Sequence, residues 1–117
     1  MKESEDLLKV VVTACEERKA KNTVVLNMEQ LSPMADYFVI CHGTSERQVQ
    51  AIARSIKDAA EDEGFEINRM EGFEQSRWIL IDLGDVICHV FHEEERSYYN
   101  LERLWGDAAE VAVSDLD

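Results

Sequence analysis

The stretch DYFVICHGTSERQVQAIARSIKDAAEDEG, residues 36–64, decides the fold because it places a strand directly before a long helix. Residues 36–42 are mostly apolar and rich in β-branched and aromatic side chains, a composition typical of a central strand in a sheet. Gly43 then interrupts the apolar run. The first part of the stretch therefore predicts a buried strand over residues 36–42.

The second part of the same stretch carries the signals that begin and end a helix. Ser45 with Gln48 three residues later matches a capping box, in which two side chains satisfy the first free backbone N–H groups of a helix. Apolar residues then recur at helical spacing. Gly64 stands where a glycine commonly ends a helix. These signals predict a helix over residues 46–63.

Simpler patterns lie on either side of this unit. Residues 4–19 carry apolar side chains at helical spacing and predict an amphipathic helix. Residues 23–28 are short and β-branched and predict a strand, and residues 65–70 predict another. Residues 77–82 and 86–91 are two apolar runs joined by three residues, a spacing that favours an antiparallel hairpin. A short helix is predicted after them.

The predicted order of elements is α-β-β-α-β-β-β-α, with the short last helix over residues 97–104. It indicates an α/β (α+β) fold: a single mixed sheet of about five strands, with two long helices and the short C-terminal helix packed on it. A helix between the second and third strands favours a right-handed crossover. The length of 117 residues predicts one domain over residues 1–117, with its core over about 4–108 and a frayed tail over 109–117.

The charge balance separates classes of partner. The chain has 25 acidic and 12 basic residues and a formal net charge of −13. Such a field repels the phosphates of nucleic acid and anionic membranes, and it attracts basic proteins. Solubility alone also explains it. Direct, sequence-specific binding to nucleic acid is therefore not expected.

The apolar pattern and the cysteines indicate the cellular compartment of the protein. No apolar run approaches 18 residues, so no membrane span is predicted, and the acidic N-terminus lacks the apolar segment of a signal peptide. Cys15, Cys41 and Cys88 are odd in number and far apart, which favours buried thiols over disulfides. We expect a cytoplasmic protein.

A metal site is the first chemical alternative, since Cys41-His42 and Cys88-His89 pair two ligand types twice and His92 follows. Neighbours in a strand point to opposite faces, so each pair offers one ligand to a face. The spacing also matches none of the common zinc patterns. We expect no metal and no other cofactor.

A nucleotidyltransferase is the second alternative. Gly43-Thr44-Ser45 resembles the Gly-Ser turn that opens such domains, and a helix N-terminus suits an anion. These enzymes also need carboxylates spaced to hold magnesium. Asp82 and Asp85 are three residues apart across a turn, which does not suit that task. Helix capping by Ser45 and support of the hairpin turn by Asp85 account for the same residues.

The segment from Trp78 to Trp105 concentrates aromatic and acidic residues. In its first strand Trp78, Leu80 and Asp82 share one face. One face of the hairpin must pack on the long helices, and the other is either covered by the short helix or exposed. Exposed apolar patches with a charged rim are typical of protein-docking surfaces. Packing of the last helix explains Tyr98 and Tyr99 equally well, so the residues alone leave both readings open.

The chain resembles the ribosomal silencing factor family, RsfS, also called the Iojap or YbeB family, over about residues 4–108. The series of matching positions is long and ordered: Asp36-Tyr37-Phe38-Val39-Ile40, Gly43-Thr44-Ser45, Trp78, Asp82-Leu83-Gly84-Asp85, His89-Val90-Phe91, Arg96, Tyr98-Tyr99, Leu101-Glu102 and Leu104-Trp105. The resemblance implies a fold related to nucleotidyltransferases, without established transferase activity.

The resemblance also implies a function. Members of the family bind ribosomal protein uL14 (L14) on the large subunit, obstruct joining of the small subunit and so lower translation under nutrient limitation and in stationary phase. Organellar relatives are tied to large-subunit assembly, so one alternative function is that of an acidic adaptor in assembly. A divergent nucleotidyltransferase-like enzyme is the other alternative. Homodimers are also plausible. The expected mechanism is steric occupation and not catalysis.

The expected uL14-binding residues combine the family positions with the strand-face argument. Trp78, Leu80, Tyr98 and Tyr99 are expected as anchors. The acidic rim is expected at Asp82, Asp85, Glu93, Glu94 and Glu95. The pattern leaves open whether His89 and Phe91 lie on the binding face or in the core, and which sheet face docks the partner.

Overall fold

The structure, a computed structural model, describes residues 2–113. These residues form a single sheet of six strands in the order β3-β4-β5-β2-β1-β6, together with four helices. The elements are α1 (Lys2–Glu17), β1 (Lys21–Asn27), β2 (Tyr37–Gly43), α2 (Glu46–Asp62), β3 (Arg69–Glu71), β4 (Trp78–Asp82), β5 (Val86–His92), α3 (Glu93–Tyr99), α4 (Leu101–Leu104) and β6 (Ala109–Val111). The mixed α+β class and the single mixed sheet are confirmed.

The sheet is mixed because β2 pairs in parallel with β5, whereas the other pairings between described strands are antiparallel. The predicted hairpin is present as β4 and β5, with a tight turn in which Gly84 adopts a φ of +89°. β2 and β5 lie at the centre of the sheet. The central position of β2 confirms the prediction made from the apolar composition of residues 36–42.

The first face of the sheet packs against α1 and α2. This layer is the larger part of the core, and each fully buried aliphatic side chain in it contributes roughly 1.5–3 kcal/mol. All three cysteines are free and buried there, as predicted, with the Cys15 and Cys41 sulfur atoms 4.0 Å apart. Burial raises the pKa of the Cys88 thiol, which keeps it protonated.

The third predicted strand was placed too early. β3 covers only Arg69–Glu71, because Gly64 turns the chain sharply at the end of α2 with a φ of +86°. The N–H of Phe65 then donates to the carbonyl of Ala60 at 2.9 Å. Phe65 and Ile67 pack against the core as loop residues, so the apolar pattern reported burial there and not a strand.

The predicted tail over residues 109–117 was wrong in its first part. Ala109–Val111 forms β6, which pairs with β1 through Val25 and Val111 and so raises the strand number from the expected five to six. The edge of β1 offers unpaired backbone groups, and a short segment is enough to cover them. Residues 114–117 lie outside the described residues.

The predicted last helix, over residues 97–104, is two helices. His92 caps α3 by accepting a hydrogen bond from the N–H of Glu94 at 3.3 Å, so helix begins four residues earlier than expected. Asn100 adopts the left-handed conformation, with φ of 46° and ψ of 60°, which ends α3 and begins α4. The break lets α4 turn back over the sheet, where Leu101 is buried.

Candidate docking site

The second face of the sheet is only partly covered. In β4 the side chains of Ile79 and Ile81 are fully buried against the helices, whereas Trp78, Leu80 and Asp82 point to the other side and are half-buried. The predicted alternation is therefore confirmed. We call the sheet face that carries Trp78, Leu80, Ile87 and Phe38 the open face.

Strand register arranges this face in rows. Leu80 lies opposite His89, and His89 lies opposite Ile40 in the parallel pairing. In the next row Asp82 lies opposite Ile87, which lies opposite Phe38.

A small second core closes part of the face around Ile40 and Phe91. Leu101 of α4 is buried in it, and Trp105 packs against it with its ring edge-on to Phe38 at 5.9 Å. Phe38, Leu80 and Ile87 stay half-buried, so the covering is incomplete.

Aromatic rings of β4 and α3 form one cluster beside this face. Trp78 stacks on Phe91 with ring centroids 5.0 Å apart and contacts Tyr99 at 4.6 Å. Tyr98 meets Tyr99 edge-on at 5.1 Å and is 80% exposed. Leu104 of α4 is also exposed. Three of the four expected anchors therefore lie in one cluster, and Leu80 lies on the same face.

His89 settles one question that the sequence left open. It points to the open face, yet it is buried, with a relative exposure of 5%. Its Nδ1 accepts a hydrogen bond from the Trp78 indole Nε1–H at 3.1 Å. Burial lowers the pKa of His89 to about 4, so the ring is neutral at neutral pH. Phe91 lies on the same face and is fully buried in the second core.

The two nitrogens of the neutral His89 ring differ in their surroundings. Because Nδ1 accepts, the single ring proton must be on Nε2. That buried atom has no hydrogen-bond partner among residues 2–113. The contact that the described residues make with this ring through a hydrogen bond is thus at Nδ1.

The two aspartates of the expected rim have roles in the hairpin. The Asp82 carboxylate accepts from the N–H of Gly84 at 2.9 Å, and it lies 3.6 Å from the Arg69 guanidinium. Asp85 is exposed, and its backbone carbonyl accepts from the N–H groups of Asp36 and Tyr37. The turn support expected from the side chain of Asp85 is thus given by Asp82, and Asp85 contributes through its backbone.

The three glutamates of the expected rim form the first turn of α3, where negative charge favours the helix. Arg77 binds two of them, with its Nη2 atom 2.9 Å from a carboxylate oxygen of both Glu94 and Glu95. Hydrogen bonding to Arg77 lowers the pKa of Glu94. Glu93 is exposed. The rim is therefore less negative than three free carboxylates.

Arg96 fixes the aromatic helix to the sheet, a role that the pattern of residues did not indicate. Its buried guanidinium donates to the carbonyl of Lys21 at 3.2 Å and bonds His42 Nδ1 at 2.9 Å and a Glu102 carboxylate oxygen at 3.0 Å. Burial, and then the positive charge of Arg96, lower the pKa of His42. In the sequence the one signal at this residue is that Arg96 belongs to the series of positions that carry the family resemblance.

The strand-to-helix turn is occupied by capping. The Ser45 hydroxyl accepts from the N–H of Gln48 at 3.1 Å, and the Gln48 side chain accepts from the N–H of Thr44 at 2.8 Å. This arrangement matches the predicted capping box with one difference. The Gln48 side chain accepts from the N–H of Thr44, the residue before the cap, and not from the N–H of Ser45 itself. Within residues 2–113, no three His, Cys, Asp or Glu side chains lie close enough to hold a metal ion. Over the same residues no helix is long and apolar enough to cross a membrane.

Comparisons with known proteins agree with this architecture. A family model described as "Ribosomal silencing factor during starvation" matches residues 1–117. The ribosomal silencing factor RsfS of Bacillus subtilis is 56% identical over 111 residues, which cover 95% of this chain and 92% of that protein. The chloroplastic Iojap protein of Zea mays is 32% identical over 100 residues, or 86% of this chain and 43% of that protein.

Solved structures show the same fold. A crystal structure of a Bacillus halodurans protein superposes with a TM-score of 0.83 at 54% identity, and the match covers 92% of this chain and 97% of the other. An X-ray structure of a Chromobacterium violaceum protein gives a TM-score of 0.85 at 35% identity, with coverages of 86% and 84%. On this evidence the chain belongs to the ribosomal silencing factor family.

Proposed function

We propose that this chain binds ribosomal protein uL14 on the large ribosomal subunit through the open face and the rings of α3. The bound domain then stands in the way of the small subunit and lowers translation when nutrients are limiting. The mechanism is steric occupation, so it needs no catalytic group and no cofactor. Membership of the ribosomal silencing factor family supports the ribosome as the target.

The observation that carries the choice of surface is the exposed aromatic cluster. Tyr98 is 80% exposed and contacts Tyr99, whose ring lies 4.6 Å from the half-buried Trp78. Leu104 of α4 is also left 69% exposed. Tyrosine and tryptophan dominate the binding energy of protein interfaces, because they bury much area with few rotatable bonds. A surface that keeps them exposed together is typical of a docking site.

Charge supports a basic protein as the partner. The net charge of −13 attracts a basic ribosomal protein and repels the phosphates of the RNA around it. The surface of the ribosome exposes both basic protein and RNA phosphates. Attraction to the protein and repulsion from the RNA together favour binding at the protein. The attraction is long-ranged, so it acts mainly on the association rate and weakens with salt.

The capping roles of Ser45 and Gln48 and the turn role of Asp82 favour docking over phosphoryl or nucleotidyl transfer. Ser45, Gln48 and Asp82 are polar groups that such an enzyme would recruit, and each is already engaged in local structure, whereas the Asp85 carboxylate is exposed. We therefore propose that the strand-to-helix turn is structural in this chain.

Sedimentation with purified large subunits tests the proposal. The wild-type chain is expected to pellet with large subunits at low salt and to reduce their joining to small subunits. Tyr98→Ala is expected to do both less well. Thr13→Ala is the matched control, because Thr13 is uncharged and exposed on α1, on the other side of the sheet. A wild-type chain that stays in the supernatant contradicts the proposal.

A further inference from the structure

We propose that His89 is a positioning residue of the docking site: its Nδ1 atom fixes the orientation of the Trp78 indole, and that orientation sets the affinity for uL14. This inference rests on the function proposed above. It assigns a role to a buried residue whose own surface is almost closed to a partner, since His89 is 5% exposed.

The hydrogen bond between the two residues runs diagonally across the hairpin. Trp78 is paired with Phe91 and His89 with Leu80, so the indole leans from its own row toward the next one to reach Nδ1 at 3.1 Å. Diagonal neighbours in an antiparallel pair are within reach of long side chains. The lean brings the indole toward the row of Leu80, another expected anchor.

The other contacts of Trp78 do not set its orientation in the same way. The ring stacks on Phe91 at 5.0 Å, with 28° between the planes, and contacts Tyr99 at 4.6 Å. Contacts of this type hold the faces of a ring and permit several placements of its edge. A hydrogen bond is directional, so the bond to His89 selects which edge of the indole is buried and which faces the partner.

The imidazole of His89 is fixed by packing and makes one hydrogen bond among the described residues. Phe38 packs against it at 4.8 Å, and the buried Nε2 atom has no partner among the described residues. The hydrogen bond from Trp78 is therefore the one polar contact of the imidazole in this part of the chain.

Two substitutions of nearly equal shape separate the hydrogen bond from packing. In His89→Asn the amide oxygen replaces Nδ1 as an acceptor, whereas His89→Leu has no acceptor. Proton NMR of the free protein reports the Trp78 indole Nε1–H, which is assigned by its absence in Trp78→Phe. We expect wild type and His89→Asn to show a slowly exchanging resonance, and His89→Leu to show a shifted one that exchanges faster.

Affinity for purified uL14 is the second measurement. His89→Leu is expected to weaken binding about tenfold and His89→Asn less than about threefold, the range that one hydrogen bond spans. In a Trp78→Phe background, which has no indole N–H, the two substitutions are expected to have equal affinity. This loss of the difference is the sign of a residue that acts through Trp78.

Several results overturn the proposal. Equal weakening by His89→Asn and His89→Leu assigns the effect to packing, and wild-type affinity in His89→Leu removes the effect altogether. If His89→Leu does not fold, wild-type affinity in Trp78→Phe overturns it instead. If the wild-type chain does not bind uL14, the docking function fails, and an unchanged indole resonance in His89→Leu then overturns the positioning role separately.

Discussion

The ring of Tyr99 lies 4.6 Å from the ring of Trp78, so the first residue of β4 and the last residue of α3 form one surface. Neither element presents this surface alone. The Arg96 guanidinium, anchored on Lys21 and His42, holds the helix in place for the contact. The proposed docking site thus depends on the tether of a helix that is only seven residues long.

The two tyrosines of α3 are expected to separate docking from stability. Tyr98 is 80% exposed, so Tyr98→Ala is expected to change the free energy of unfolding by less than about 0.5 kcal/mol. The same substitution is expected to weaken uL14 binding by about 1–4 kcal/mol. Tyr99→Ala removes the contact with Trp78, so it is expected to lower both the free energy of unfolding and the affinity for uL14. Urea unfolding and calorimetric titration measure the two quantities, and normal uL14 binding by Tyr98→Ala excludes that residue from the site.

Neighbouring residues of β4 are expected to differ in the same manner. Ile81 is fully buried against α1 and α2, so Ile81→Ala is expected to destabilise the protein by about 2–5 kcal/mol. Leu80 is half-buried on the open face, so Leu80→Ala is expected to cost clearly less and to weaken uL14 binding. Urea unfolding of both variants checks the assignment of the two faces. Equal destabilisation contradicts it.

The cap of α2 is expected to stabilise the fold and to take no part in binding nucleotide or magnesium. Ser45→Ala removes the acceptor for the N–H of Gln48 and is expected to lower the free energy of unfolding by about 0.5–2 kcal/mol. Thermal unfolding measures this change. A calorimetric titration of the wild-type chain with nucleotide and magnesium is expected to be flat. Magnesium-dependent heat that disappears in Ser45→Ala is the result that favours an enzyme.

Acid is expected to destabilise the protein through His89. The folded pKa of about 4 lies below the ordinary value of 6.5, so between these pH values the unfolded chain binds a proton that the folded chain does not. The neutral ring therefore contributes stability that is fully present above pH 6.5 and is lost as the pH falls toward 4. The loss over this window is of order 3 kcal/mol. His89→Asn has no such group, so its unfolding free energy is expected to fall less over the same window; parallel curves contradict this.

The elements that the sequence predicted well are those with local signals. The helix α2 carries its own capping residues and its own terminal glycine, and it was placed within one residue of the observed Glu46–Asp62. The hairpin of β4 and β5 combines two apolar runs with a connection of three residues. Alternation also placed Trp78, Leu80 and Asp82 on one face, because a strand fixes side-chain direction geometrically.

The elements that the sequence did not predict depend on distant partners. The three residues of β6 become a strand only because the edge of β1 is there to pair with them. Likewise, Glu94 and Glu95 looked like free acids, since the pairing with Arg77 depends on the way β5 leads into α3. The contact of Trp78 with Tyr99 depends on the hairpin register and on the way α3 follows directly after β5.

The measurement that tests the account most directly is a titration of purified uL14 with the wild-type chain, with Trp78→Ala and with the control Thr13→Ala. The account predicts binding by the wild type and by Thr13→Ala, and a loss of about 1–4 kcal/mol in binding free energy for Trp78→Ala. It also predicts weaker binding at higher salt. Absence of binding by the wild-type chain, or equal affinity of all three proteins, would contradict docking of uL14 through the face that Trp78 occupies.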